Sequence, residues 1–195
     1  PWSDGSEDVS GLRIVRVREK KLNGDLWLFE EQFQNVPGGI FHWIDTHYRL
    51  HTQIFKSADG TMYSQYQPPQ HLRYLDIKKG EEKEFSYKIT FFDSDTNEKL
   101  GTAVLNDQTK RDYDVRIISE AGAYLCRKFL SEISLSTEVM GQQHTLVASI
   151  ESYWSDRIGW FVQQRYNFQP MVMNGEILQN GYSAESVLID FEPKD

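Results

Sequence analysis

Short extended segments separated by turn signals are the feature of this sequence that most constrains its fold. Asn-Gly pairs occur at residues 23–24, 174–175 and 180–181, and both residues of such a pair tolerate the positive φ of a tight hairpin turn. Between the turns, apolar and polar residues alternate, which is typical of strands with one buried face. Consecutive strands at this spacing are expected to pair as antiparallel neighbours in a barrel or a sandwich.

The alternation predicts about ten strands, and two hairpins are the clearest. Residues 12–21 are expected to pair with residues 26–34, and residues 85–92 with residues 100–105 across a polar loop. Further extended runs occupy residues 113–119, 123–135, 142–154, 158–168 and 183–191. The predicted fold is therefore all-β: an antiparallel up-and-down β-barrel of about 8–10 strands, with a β-sandwich as the alternative.

Residues 121–133 fit two interpretations. An apolar residue recurs every four positions, at Ala121, Leu125, Phe129 and Ile133, which is a helical spacing. Gly122, however, follows Glu120 and Ala121, and this short sequence suits a hairpin loop between two strands. The sequence leaves helix and strand open here, so we expect at most one short helix in the chain.

The length and the net charge of the chain limit the classes of protein to which it can belong. A chain of 195 residues fits one domain with a substantial core, and we expect residues 1–10 to form a flexible tail before a single barrel domain at 11–195. The 21 basic and 29 acidic residues give a net charge of −8, whereas a nucleic-acid binder needs a basic face. The sequence therefore predicts no nucleic-acid partner. It contains no run of about 18 apolar residues, so no membrane span is expected either.

Cysteine usage and the known catalytic motifs add little positive information. Cys126 is the single cysteine, which excludes an internal disulfide and slightly favours a reducing compartment such as the cytoplasm or a plastid. No nucleophile elbow, Walker loop, dinucleotide fingerprint or Cys-X-X-Cys motif is present, so we expect no cofactor.

The stretch from residue 40 to residue 55 holds three of the five histidines, His42, His47 and His51. Read as one strand, it places His47 and His51 on a polar row with Arg49 between them. The guanidinium would repel a metal ion and disfavour its binding there. The pattern therefore favours a solvated strand face over a metal site or a proton-transfer cluster, and we expect no metal.

Alternation also predicts which side chains point inward and could meet a ligand. These candidate ligand-binding residues are aromatic rings with a few polar groups among them: Trp27, Glu31, Tyr48, Tyr87, Trp154, Trp160, Gln164 and Tyr166. An inward carboxyl group costs several kcal/mol unless it is paired or protonated. Either Glu31 therefore points outward, or it is a functional group, and it is the candidate catalytic residue if the protein is an enzyme.

Residues 137–192 resemble the last third of calycin (lipocalin-like) barrels, in particular the bilin lyases that attach phycobilins to antenna proteins. The matching positions are Ile150-Glu151-Ser152, Asp156-Arg157, Trp160-Phe161 and Gly181-Tyr182-Ser183. The resemblance implies a barrel, binding of a chromophore and lyase chemistry. The Arg-X-Arg pair that would hold propionates in that family is replaced around Tyr166-Asn167-Phe168, with Arg165 nearby.

These observations lead to three hypotheses about function. A small antiparallel barrel leaves room for one ligand, and an aromatic interior with few polar groups suits a mostly apolar molecule. The leading hypothesis is a carrier or chaperone for a pigment, a lipid or a similar compound. The second is a lyase, isomerase or cyclase acting on such a ligand in the same cavity. The third is a β-sandwich interaction module whose exposed aromatic residues bind a protein partner.

Overall fold

A computed structural model describes residues 2–3, 8–9, 13–20, 26–33, 38–57, 60–74, 76–139, 142–173 and 176–190. Regular structure in these ranges consists of strands alone: β1 (Trp2–Ser3), β2 (Asp8–Val9), β3 (Arg13–Lys20), β4 (Leu26–Phe33), β5 (Gly39–Asp45), β6 (Arg49–Ser57), β7 (Gly60–His71), β8 (Glu82–Asp93), β9 (Lys99–Ser119), β10 (Gly122–Val139), β11 (Gln142–Ser155), β12 (Trp160–Phe168), β13 (Met171–Met173), β14 (Glu176–Gln179) and β15 (Tyr182–Val187). Within them, no helix is long and apolar enough to cross a membrane.

Thirteen of these strands form one antiparallel sheet in the order β2-β1-β15-β12-β11-β10-β9-β8-β7-β6-β5-β4-β3. The sheet is strongly curled into a half-barrel, and β13 and β14 form a separate small hairpin. The prediction of an all-β, antiparallel, barrel-like fold is confirmed. The structure has more strands than the sequence indicated, because β1, β2, β7, β13 and β14 were not predicted and a turn splits residues 40–55. Conversely, the runs predicted at residues 100–105 and 113–119 form the single strand β9.

The chain itself brings the two edges of the sheet close together. Strand β2 ends at Val9 and strand β3 begins at Arg13. Four residues can span at most about 14 Å, so the two edge strands approach each other at this point. The curl of the sheet therefore brings its two edges together at this point, although β2 and β3 are not paired with each other in the described ladders.

The segment that fitted both helix and strand is strand β10. Ser119 pairs with Gly122, so Glu120 and Ala121 alone form the hairpin turn, and Gly122 has a φ of 125° that suits glycine. Leu125 is 71% exposed and Phe129 is 1% exposed, so the residues spaced by four do not share one buried face. The helical interpretation is wrong because pairing along the long β9–β10 hairpin overrides the local spacing.

The interpretation of residues 40–55 as one strand is also wrong. A turn at residues 46–48 separates β5 from β6, and Tyr48 has a φ of 57°. The carboxylate of Asp45 accepts hydrogen bonds from the backbone N–H groups of His47 (2.9 Å) and Arg49 (3.0 Å). An aspartate that caps its own following turn in this way supports a reversal that the two-residue alternation could not reveal.

Both faces of the sheet carry a buried cluster. The inner face is the one that carries Phe29, Tyr87 and Trp154, and its core cluster consists of Tyr87, Ile89, Ala103 and Leu105. The opposite face has a smaller cluster, made of Tyr124, Cys126, Tyr153 and Val162. Burial raises the pKa of the Cys126 thiol to about 11, as for an inert, buried cysteine.

Alternation misassigned one residue of β12. The alternation that places Gln164 and Tyr166 inward predicts the same for Val162, but Val162 is fully buried in the cluster on the opposite face. The register between β11 and β12 shifts at this point, from the pair Tyr153↔Gln163 to the pair Trp154↔Phe161. This β-bulge inserts Val162 as an extra residue and reverses the face it occupies.

Candidate ligand-binding site

The curl of the sheet brings aromatic rings from distant strands into contact. The ring of Phe29 on β4 stacks on the ring of Trp160 on β12, with centroids 5.3 Å apart and planes inclined by 15°. Trp160 also contacts Trp154, with ring centroids 6.1 Å apart. Phe29 and Trp160 are only half-buried, so part of their ring surface remains available to a ligand.

A carboxyl–imidazole pair lies on β4 and β5, one step along the inner face from Phe29. Glu31 is 5% exposed and His42 is 8% exposed, and Oε2 of Glu31 is 3.0 Å from Nε2 of His42. Alternation correctly placed Glu31 inward. Its partner was missed, because the register between β4 and β5 pairs His42 with Phe29 and thereby brings it diagonally beside Glu31.

The polar contacts continue across the next two strands. Nε2 of Gln53 on β6 is 3.5 Å from Nδ1 of His42, and the hydroxyl of Tyr66 on β7 donates to Oε1 of Gln53 at 2.9 Å. Burial raises the pKa of Tyr66. Four neighbouring strands therefore each contribute one residue to a polar row of Glu31, His42, Gln53 and Tyr66, which can bind a polar ligand group or relay a proton.

Two connecting segments cover Trp154 at one end of the sheet. The ring of Tyr48 meets the Trp154 ring edge-on at 5.0 Å, and the guanidinium carbon of Arg73 is 5.2 Å from the centre of each of these rings. The backbone N–H of Leu72 donates to the carbonyl of Tyr48 at 3.0 Å. Tyr48 and Arg73 therefore act as one unit, which we call the cap, over the fully buried Trp154.

The cap is held by an ion pair that is shared between two arginines. Arg73 Nη2 and Arg127 Nη2 each lie 2.5 Å from an oxygen of Asp156. Among the described residues, four buried side-chain polar atoms have no hydrogen-bond partner: Arg73 Nε, Arg111 Nε, Trp154 Nε1 and Ser155 Oγ. Leaving a buried donor unsatisfied costs about 1–3 kcal/mol. Two of these donors, Arg73 Nε and Trp154 Nε1, belong to the cap and to the ring beneath it.

A second polar cluster lies on the inner face beneath the connection between β7 and β8. The hydroxyl of Tyr74 donates to Oδ2 of Asp107, and the hydroxyl of Thr109 lies 2.6 Å from both Oδ1 of Asp107 and Oγ of Ser131. Asp107 is 2% exposed, and this burial raises the pKa of its carboxyl group despite the hydroxyl donors. The same burial raises the pKa of Tyr74 well above its usual value.

The structure brings together some of the eight residues predicted to bind a ligand. Tyr48, Trp154 and Trp160 form one group, and Glu31 joins it through Phe29. Trp27 is 36% exposed. The other three lie elsewhere on the inner face: Tyr87 beside His71 (3.1 Å), Gln164 donating to Ser152 (3.4 Å), and Tyr166 stacked on Phe168 (6.2 Å).

Sequence reasoning missed Phe29, His42 and Arg73 as members of this site. Phe29 shares its face with Glu31, so alternation contained the signal that could have found it. Arg73 follows β7 in a connection without a periodic pattern. Its position over Trp154 therefore left no signal in the local sequence.

The three histidines of residues 40–55 are placed differently from one another. His42 pairs with Glu31, His47 is exposed, and His51 Nε2 lies 3.0 Å from Oδ2 of Asp45. Burial alone would raise the pKa of Asp45, but hydrogen bonds from His51 and from Arg49 outweigh it and lower that pKa. In the part of the chain that the structure describes, no three His, Cys, Asp or Glu side chains are grouped to hold a metal ion.

The face opposite the rings carries a groove of a different character. Its volume is about 820 Å³, and outward side chains of β8 to β12 and β15 line it, among them Lys110, Leu130, Glu132 and Arg165. The charged groups pair with one another, as in the contact of Arg165 Nε with Glu185 at 2.8 Å. Most of the residues that line the groove are charged or polar, whereas aromatic rings lie on the inner face.

Comparison with known proteins gives limited information. No family model matches the sequence, and a search among curated proteins finds no relative. Among solved structures, the chain is similar to one from Parabacteroides distasonis ATCC 8503 described as a "putative lipoprotein", with 12% identity, a TM-score of 0.46, and coverage of 98% of this chain and 92% of that chain. The resemblance to calycin barrels and bilin lyases therefore stays a prediction.

Proposed function

We propose that this protein binds a small, mostly apolar ligand on the inner face of its curled sheet, as a carrier or chaperone. The ligand contacts the rings of Phe29 and Trp160, and its polar group binds at Glu31 and His42. A pigment, a lipid or a compound of similar shape fits this description, because it combines a large apolar body with one or two polar groups.

The observation that supports this proposal most directly is the buried Glu31–His42 pair beside the ring stack. A buried pair of titratable groups costs desolvation free energy that its own attraction barely repays, and apolar residues of similar volume serve stability at least as well. Here the pair lies at 3.0 Å, on the same face as the half-buried ring of Phe29. Such a combination of polar groups and accessible rings is what an amphipathic ligand requires.

A second candidate function is catalysis by the same residues. Glu31 and His42 are within hydrogen-bond distance, and Gln53 and Tyr66 extend the contact to two further strands. Paired groups of this kind can take a proton from one ligand atom and return it to another. A lyase, isomerase or cyclase acting on the bound ligand would use Glu31 as its base.

The proposal is tested by equilibrium binding of the neutral, apolar dye Nile red to the whole chain. We expect saturable binding of one dye molecule per chain and, by native mass spectrometry, a small co-purified molecule that the dye displaces. Binding that never saturates, together with no bound molecule by mass spectrometry, would contradict ligand binding. The protein would then be reinterpreted as an interaction module whose exposed aromatic residues contact a protein partner.

A further inference from the structure

The cap and the ring beneath it contain two buried hydrogen-bond donors without acceptors. They are Nε of Arg73 and Nε1 of Trp154, and both groups can only donate. The Arg73 guanidinium carbon is 5.2 Å from the centre of the Trp154 ring, so the two donors lie in one small region. Trp154 is fully buried, which excludes bulk water as the partner of its N–H.

The charges around these donors leave one positive charge uncompensated. Arg73 and Arg127 share the single carboxylate of Asp156, with one oxygen for each guanidinium. Each oxygen of Asp156 already accepts a hydrogen bond from an Nη2 atom, and neither is hydrogen-bonded to Nε of Arg73. A group that satisfies both unpaired donors must therefore be an acceptor, and a single negative charge balances the local charge.

The position of the donors indicates what the anionic group is attached to. Trp154 contacts Trp160, and Trp160 stacks on Phe29, so a row of rings leads from the donors into the proposed ligand site. The cap residues Tyr48 and Arg73 belong to connections rather than to strands. These residues can therefore shift to admit a ligand group without breaking a strand ladder.

We propose that the cap is a carboxylate-binding site and that the ligand is a monocarboxylic acid with an apolar body, whose carboxylate binds at the cap while Glu31 and His42 bind a second polar group. The carboxylate accepts hydrogen bonds from Nε of Arg73 and Nε1 of Trp154, and its charge balances the second arginine. Charge-assisted hydrogen bonds of this kind are shorter and stronger than neutral ones. This inference rests on the proposed function, since it names the class of ligand that the inner face accepts.

The test compares acids with alcohols of the same body. 1-Pyrenebutyric acid and 1-pyrenebutanol form an aromatic pair, and dodecanoic acid and 1-dodecanol form an alkyl pair, each titrated against the intact chain by tryptophan emission. We expect the acid to bind about tenfold more tightly than its alcohol in at least one pair. Tighter binding of 1-pyrenebutyric acid than of dodecanoic acid would indicate that the ligand is an aromatic acid. The reverse order would indicate a fatty acid.

Variants of the cap residues test whether the cap causes the preference for the acid over the alcohol. Trp154→Phe keeps a ring and removes the N–H, and Arg73→Met keeps the aliphatic stem and removes all the donors; each should reduce the preference for the acid to about threefold or less. Arg111→Met is the matched control, because Arg111 also has an unpartnered Nε and an ion pair, to Asp114, but belongs to β9 outside the ring row. Circular dichroism of each variant checks that it folds. If Trp154→Phe does not fold, the result for Arg73→Met alone decides the test.

Three results would overturn the inference, and they can be told apart. Equal binding of acid and alcohol leaves ligand binding intact and shows that the donors are satisfied in another way. A preference for the acid that survives both cap variants and is lost in Arg111→Met places the anion site elsewhere. Absence of binding by all four compounds and by Nile red overturns the proposed function as well.

Discussion

The ring of Phe29 stacks on the ring of Trp160 at 5.3 Å, although seven strands separate β4 from β12 in the sheet order. A flat sheet would hold these rings on strands far apart, since neighbouring strands are spaced by about 4.8 Å. The contact therefore exists only because the sheet is curled. It also brings the polar row that begins at Glu31 close to the cap over Trp154, which is the basis of the proposed ligand site.

Asp45 is expected to stabilise the fold at neutral pH but not in acid. Its pKa is lowered in the folded state, so its contribution is present above the unfolded pKa of 3.8 and is lost as the pH falls through the lower, folded value. Asp45→Asn resembles the protonated carboxyl group and should cost about 1–3 kcal/mol of unfolding free energy at pH 7.

Urea denaturation at several pH values measures this difference, which should shrink steadily in acid as the wild-type carboxylate becomes protonated. His47→Gln serves as the control, because His47 is exposed and its side chain should contribute about 0.5 kcal/mol or less. A cost of Asp45→Asn that is the same at every pH would show that the charge of Asp45 plays no part.

Asp107 is expected to behave in the opposite way. Burial raises its pKa in the folded state, so its favourable contribution is complete below the unfolded pKa of 3.8 and is lost as the pH rises through the folded pKa. Asparagine can still accept from Tyr74 and donate to Thr109. Asp107→Asn should therefore be at least as stable as the wild type at pH 7, with its advantage disappearing in acid. A loss of more than about 1 kcal/mol at pH 7 would contradict this account of the carboxyl group.

Some of the architecture could be predicted from sequence because side-chain direction in a strand depends on parity alone. Parity placed Glu31, Tyr87 and Trp154 inward, and all three are buried. It failed at Val162, where a bulge inserts a residue, and around Tyr48, where a turn capped by Asp45 interrupts the alternation. Such interruptions depend on single hydrogen bonds and leave no periodic signal.

The candidate site was less predictable, because its contacts are made between strands that are distant in sequence. His42 meets Glu31 through the register of β4 and β5, and Phe29 meets Trp160 through curvature summed over the whole sheet. Arg73 reaches Trp154 from a connection. None of these relationships is encoded in a local pattern, and each could be found only from the folded chain.

Glu31→Gln distinguishes a carrier from an enzyme. Glutamine still hydrogen-bonds to His42 but cannot accept a proton as a base, so a carrier should retain its affinity for Nile red within about threefold. An enzyme that uses Glu31 as its base should lose turnover by about 100-fold or more while it still binds. Once the co-purified molecule is identified, its conversion is measured with wild type and variant. Unchanged turnover in Glu31→Gln would exclude Glu31 as the base.

The most direct test of the account is tryptophan emission during a Nile red titration of Trp160→Ala. Trp160 contributes ring surface to the inner face, so its removal should weaken binding by more than about 1 kcal/mol, as for a buried aromatic anchor. Leu130→Ala is the control, because Leu130 is 38% exposed and lines the groove on the opposite face; this variant should bind as the wild type does. Weakened binding in Leu130→Ala with unchanged binding in Trp160→Ala would contradict the account and place the ligand in the polar groove.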